Sequence, residues 1–231
     1  MLSQEDGFPQ LRLIQITDSA FPLGSFAFSN GLESAAKLGL IRDVAGFKRY
    51  LANVLTQVSC SEMPFVNSAY KCPAEDVETL AAIFQRLEAF ITIPCMHKAS
   101  VTQGRSLLQA VKAIYPELNV HDITRWLRDR GLSTHYAAVF GIVCRMVGLS
   151  HIETLSGYAY IALRDQASAA VRLGLLGPHE AQSILRETLA RVGETIHQAK
   201  DLEYHNAYKV AMALEIAQAH HPRLYSHLFQ N

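Results

Sequence analysis

The sequence predicts an all-α fold, a single-domain helical bundle of about nine or ten helices. Three observations carry this. Apolar residues recur at intervals of three and four over most of the chain, the spacing that gathers side chains on one helical face. Start and stop signals punctuate those stretches, with Asp43 and Ser150 as N-caps, Pro64 and Pro178 in first turns, and Gly131, Gly148 and Gly174 at ends. No segment has the alternating pattern of a strand, and no Asn-Gly or Asp-Gly hairpin separates two apolar runs.

A lead-in over residues 1–8 reads as mobile, and LRLIQI after it suits a short helix or an extended piece. Thr17 to Ile41 is a shaped corner that runs into a helix. Asp18 and Ser19 offer short polar caps, Pro22 fixes its own φ and biases Phe21 away from helix, and Gly24 tolerates a positive φ. Asn30 with Glu33 three residues on resembles a capping box for a helix near Gly31–Leu38, which Gly39 stops. From Asp43, residues Val44, Phe47, Tyr50, Leu51, Val54, Leu55 and Val58 line the next helix. Glu62–Tyr70 forms another, and Val77, Leu80, Ile83, Phe84, Leu87 and Ile91 mark a longer one that ends or kinks at Thr92–Pro94.

His97–Ile114 repeats the pattern until Pro116 breaks it, and a shorter helix carrying Trp126 ends at Gly131. Thr134–Val147 is almost wholly apolar and reads as the buried central helix. Ser150 and Glu153 form a capping box for a helix to about Leu173, whose small residues Ala167–Ala170 let a neighbour approach closely. A helix from Pro178 runs on through Ile184, Leu189, Val192 and Ile196, and a last one spans about Tyr204–Ala219. A tail, 221–231, follows; no low-complexity tract or linker divides the 231 residues.

Composition excludes several classes. Formal net charge is zero, so no basic face announces nucleic acid. Apolar residues make up 49% and charged residues 18%, a surplus of apolar surface that suggests a partner. Cys60, Cys72, Cys95 and Cys144 are too scattered for a zinc knuckle or redox pair, which fits reduced thiols and a cytoplasmic setting. No apolar run approaches the roughly 20 residues that span a bilayer. There is no phosphate-binding GxxxxGK[ST] loop, no HExxH and no Gly-x-Ser-x-Gly elbow.

Four groups of residues remain as candidates. In the corner, Phe21, Phe26 and Phe28 must bury against the core or a partner, and nothing near Ser25 or Ser29 supplies a general base. Gln103, Gly104 and Arg105 interrupt an apolar helix; Gly104 costs about 1 kcal/mol relative to Ala, so close packing or function offsets it. Arg105 suits either a carboxylate or phosphate ligand or an internal salt bridge. His135, at the mouth of the apolar helix, reads as a hydrogen-bonded structural histidine, and the ten histidines are too dispersed to announce a metal centre. In the tail, Leu224, Tyr225, Leu228 and Phe229 are apolar enough to need cover, from a partner or from the chain's own core.

The string DSAFPLGSFAFSNGLE resembles the N-terminal signature of the UreF family of urease accessory proteins. Three later segments resemble the same family in the same order: KASVTQGRSLL, HYAAVFGIVCRMVGL joined to LRDQASAAVRLGLLGPHEAQ, and HPRLYSHLF. The resemblance implies an all-α, non-catalytic scaffold or regulator for nickel delivery. It implies a homodimer that bridges UreD, also called UreH, to the GTPase UreG and docks on apo-urease, with nickel as cargo and no tightly bound cofactor. The partner-binding residues it points to are Asp18, Phe21, Pro22, Gly24, Ser25, Phe26, Ser29, Glu33, Gln103, Gly104, Arg105, His135, His221, Leu224, Tyr225, His227, Leu228 and Phe229. His227 stands where the family pattern usually has arginine, which would weaken a contact or make it pH-sensitive. HYAAVFG also lacks a proline that the family often has. Two rivals stay open: a helical enzyme with Arg105, His135 and Glu33 in one pocket, and a helical adaptor unrelated to urease.

Overall fold

A computed structural model describes residues 9–230, and over them the backbone forms twelve α-helices and three 3-10 turns, with no strand. The expected mobile lead-in lies outside the described residues. In order, the helices are α1 (Pro9–Thr17), α2 (Leu32–Lys37), α3 (Val44–Ser61), α4 (Met63–Lys71), α5 (Val77–Phe90) and α6 (Pro94–Ile114). The second half adds α7 (Val120–Asp129), α8 (Tyr136–Met146), α9 (His151–Arg172), α10 (Pro178–Leu189), α11 (Val192–Ala199) and α12 (Met212–His220).

Helix α8 is the axis of the molecule, with every residue from Tyr136 to Cys144 buried. A helix apolar all round must be covered all round, and α4 and α6 supply most of that cover. Glycine lets the backbones touch. A Cβ on Gly141 would lie 2.5 Å from the Val66 carbonyl oxygen, and one on Gly104 would lie 1.8 Å from that of Thr134. Helix α9 packs on α1, α3, α10 and α11, and one contiguous apolar core runs from Ile16 to Phe229.

The caps behave as their chemistry requires. Asp43 Oδ1 accepts from the Gly46 amide at 2.6 Å, and Ser150 and Glu153 exchange both bonds of the capping box. Three expectations change. Asn30 and Gly31 take φ values of +50° and +95°, so the corner enters α2 through two left-handed residues, and Gly31 provides the N-cap without a side-chain bond. The stretch from Pro178 to Ile196 divides at a tightened turn, where the Arg191 amide donates to the Thr188 carbonyl at 3.0 Å.

The final helix starts at Met212 rather than Tyr204, because residues before it are held by side chains of other helices. Gln57 Oε1 on α3 accepts from the amides of Val210 and Ala211 at 2.9 and 2.8 Å. Asn67 Nδ2 on α4 donates to the carbonyls of Ala199 and Leu202 at 2.8 and 3.1 Å. These bonds replace the ladder that a continuous helix would have made.

Gly104→Ala is expected to lower unfolding free energy in urea by at least about 2 kcal/mol, since its Cβ meets backbone that cannot swing aside. Gly193→Ala, with open space around the new Cβ, should change it by no more than about 1 kcal/mol.

Candidate interaction site

The corner begins where Asp18 Oδ1 accepts from the Ala20 amide at 2.6 Å and turns the chain. Phe21, Leu23 and Phe28 then point inward, while Pro22 stays exposed. Gly24, at φ +70°, launches a 3-10 turn over Ser25–Ala27 that leaves Phe26 65% exposed. Helix α9 holds this corner from beneath. Gln166 Nε2 donates to the Ser29 carbonyl at 3.0 Å, and the Arg164 guanidinium donates to the Thr17 carbonyl. Arg172 donates to the Phe26 carbonyl and lies 3.4 Å from the Phe26 ring centroid and 4.3 Å from that of Phe229.

Glu33, buried on α2, joins the corner to the tail. Its Oε1 accepts from the Leu228 amide at 2.8 Å and its Oε2 from the Phe229 amide at 3.2 Å. Lys37 Nζ sits 3.1 Å from Oε1 and also donates to the Ser226 carbonyl. The Gln230 amide donates to the Ala27 carbonyl at 2.8 Å, and the Glu33 amide lies 3.5 Å from Ser29 Oγ. Burial alone would raise the pKa of Glu33, but the two tail amides and Lys37 outweigh it and leave the carboxyl below its ordinary value. His221, also buried, places Nε2 3.5 Å from Glu33; burial keeps its imidazole below the usual histidine value despite the carboxylate.

The tail therefore divides its apolar side chains. Phe229 and His221 go inside, Leu224 is half-buried, and Tyr225, His227 and Leu228 stay out. Tyr225 is fully exposed and Leu228 is 57% exposed, beside the similarly bare Phe26 corner. The chain's own core covers Phe229, while Tyr225 and Leu228 are left facing outward.

The other candidates lie elsewhere. Gln103 and Gly104 are buried on α6, Gly104 against the Thr134–His135 backbone and Gln103 at an internal cavity, so any part they take in partner binding is indirect. Arg105 is exposed, and among the described residues no ion pair engages it. His135 is fully buried, with Nε2 2.9 Å from Glu88 Oε2 and Nδ1 3.2 Å from Ser100 Oγ. Glu88 Oε1 lies 2.7 Å from His97 Nε2. Burial opposes the charge on Glu88, yet bonds from Ser133, His97 and His135 bring its pKa down to about 2. Sequence reading missed Glu88 and His97 because they sit on separate helices with no motif spacing.

Among the described residues Glu33, Arg105 and His135 share no partner, which removes the geometry on which a pocket built from them depended. A cavity of about 130 Å³ lies between α3, α6, α9 and α12, lined by Glu62, Tyr136, Tyr158 and Asp165 among others, and by no histidine or cysteine. Tyr158 donates to Glu62 Oε2 at 3.0 Å, and burial raises the pKa of Glu62 and of Asp165. No helix among the described residues is long and apolar enough to cross a membrane.

A family model described as UreF matches residues 41–189. Urease accessory protein F of Oryza sativa subsp. indica is 33% identical over 218 residues, which cover 93% of this chain and 82% of the relative. Urease accessory protein F of Arabidopsis thaliana is 32% identical over 221 residues, covering 93% and 90%. Urease accessory protein UreF of Paenarthrobacter aurescens is 31% identical over 223 residues, covering 96% and 98%.

Glu33→Gln should free the tail while helix content stays constant, with amide exchange at Leu228 and Phe229 accelerated at least about tenfold. For the unaltered chain, the sign follows from the lowered Glu33 pKa. The clamp is complete above the ordinary glutamate value and is lost as pH falls through the folded value, to be read from the Leu228 and Phe229 amide shifts by NMR.

Proposed function

The chain belongs to the UreF family of urease accessory proteins, and from that premise we propose that it acts in urease maturation as a non-catalytic scaffold and regulator of nickel delivery. In this reading a cytoplasmic homodimer bridges UreD to the GTPase UreG and docks on apo-urease. Nickel is the cargo of that complex. GTP hydrolysis belongs to UreG, since this chain carries no phosphate-binding loop.

The observation that supports the reading most is the bare aromatic edge on a clamped backbone. The Leu228 and Phe229 amides, at the C-terminal end of the tail's exposed stretch, are bound to a buried carboxylate and Lys37 holds the Ser226 carbonyl, so Tyr225 and Leu228 are presented beside backbone that is already held. A partner that covers them gains apolar burial without the full entropic cost of ordering a loose segment. Aromatic side chains held in this way are the residue type that dominates binding energy at protein interfaces.

Purified chain mixed with UreD and UreG should form a complex in pull-down and size-exclusion experiments. Tyr225→Ala should weaken binding to UreD at least about tenfold and leave the melting temperature unchanged, because the ring is fully exposed. Failure to associate with either protein under any nucleotide condition would overturn the scaffold reading.

A further inference from the structure

We propose that Glu88, His97 and His135 form an exchangeable site for one divalent transition-metal ion of the zinc or nickel class, where α5, α6 and the N-cap of α8 meet. The inference does not depend on which proteins the chain binds.

One ligating atom from each residue lies within 4.8 Å of the others. The carboxylate stands between the imidazoles, its oxygens 2.7 Å from His97 Nε2 and 2.9 Å from His135 Nε2, and the rings are perpendicular with centroids 4.9 Å apart. Ligands on a metal with bonds of about 2.1 Å sit roughly 3–3.5 Å from one another, so small widening of both pairs admits an ion. Two imidazoles and a carboxylate suit a borderline cation, and no thiolate is present to select a softer one. Three protein ligands leave at least one position for water or an incoming group, the mark of an exchangeable site rather than a closed structural one.

The surroundings fix one ligand and leave two free to adjust. Ser100 Oγ lies 3.2 Å from His135 Nδ1 and accepts from the Tyr136 amide at 3.1 Å, which turns the ring so that Nε2 faces Glu88. Thr134 Oγ1 donates to the Val101 carbonyl at 3.0 Å, and Gly104 lets α6 press on the backbone of Thr134 and His135. The His135 side chain is sealed, whereas those of His97 and Glu88 are 32% and 46% exposed and open the site to a hydrated ion from one side. On binding, neutral His135 takes the tautomer with its proton on Nδ1, facing Ser100 Oγ, and Nε2 gives its lone pair to the metal; an imidazolium would release one proton to solvent.

Titration of the purified chain with Zn²⁺ alone, then Ni²⁺ alone, by calorimetry is expected to show one ion per chain. Glu88→Gln and His97→Ala should each weaken it at least about tenfold, while His121→Ala, at an exposed position on α7, leaves it unchanged. X-ray absorption should report nitrogen and oxygen donors without sulfur. Zinc should move the NMR resonances of the His97 and His135 rings, a readout on the unaltered chain that holds even if a variant misfolds. Zinc should also raise the melting temperature of the unaltered chain and not of Glu88→Gln. Equal affinity in the Glu88 and His97 variants, ring resonances that stay put, or no binding at millimolar metal would overturn the proposal.

Discussion

The buried carboxylate of Glu33 is the constraint on which the functional end of the molecule depends. Taking such a charge out of water costs several kcal/mol, on the order expected for an ion inside a protein, unless donors surround it. The backbone donors come from far along the chain, the Leu228 and Phe229 amides, with Lys37 one helical turn on beside them. With those bonds formed, Phe229 lies inside and Leu228 outside. The shape of the tail is a consequence of where one negative charge was placed.

Helix α9 connects that end to the core. Its inner face packs on α3 and α10, while Arg164, Gln166 and Arg172 reach to the carbonyls of Thr17, Ser29 and Phe26. An irregular corner has backbone acceptors that no ladder satisfies, and a rigid helix bearing long donors is an economical way to hold it. The histidine cluster, by contrast, sits where α6 crosses the start of α8, so the two groups of notable side chains occupy different seams of one core.

Much of the helical framework was legible in the residues. The apolar spacing of α3, α5, α6 and α9 and the caps at Asp43 and Ser150 are local signals, and the structure realises them locally. What escaped reading depends on distant partners. Gln57 and Asn67 hold the segment before α12 out of a helix, and no neighbour in sequence announces either bond. Asn30-Gly31 carried a local clue to left-handed backbone, but the acid three residues on suggested a cap, and that acid faces the tail instead. Of the site, the corner and tail were visible as apolar excess in unusual places. Their union through Glu33 was not, because a lone glutamate in a helix looks the same whether it meets water or a chain end.

The bond between Gln230 and Ala27 joins segments about 200 residues apart. Releasing the tail would break it together with the two bonds to Glu33, so the edge around Phe26 is complete only while the two segments are joined. The outward surface is therefore a property of the closed fold, and neither the corner nor the tail carries it alone.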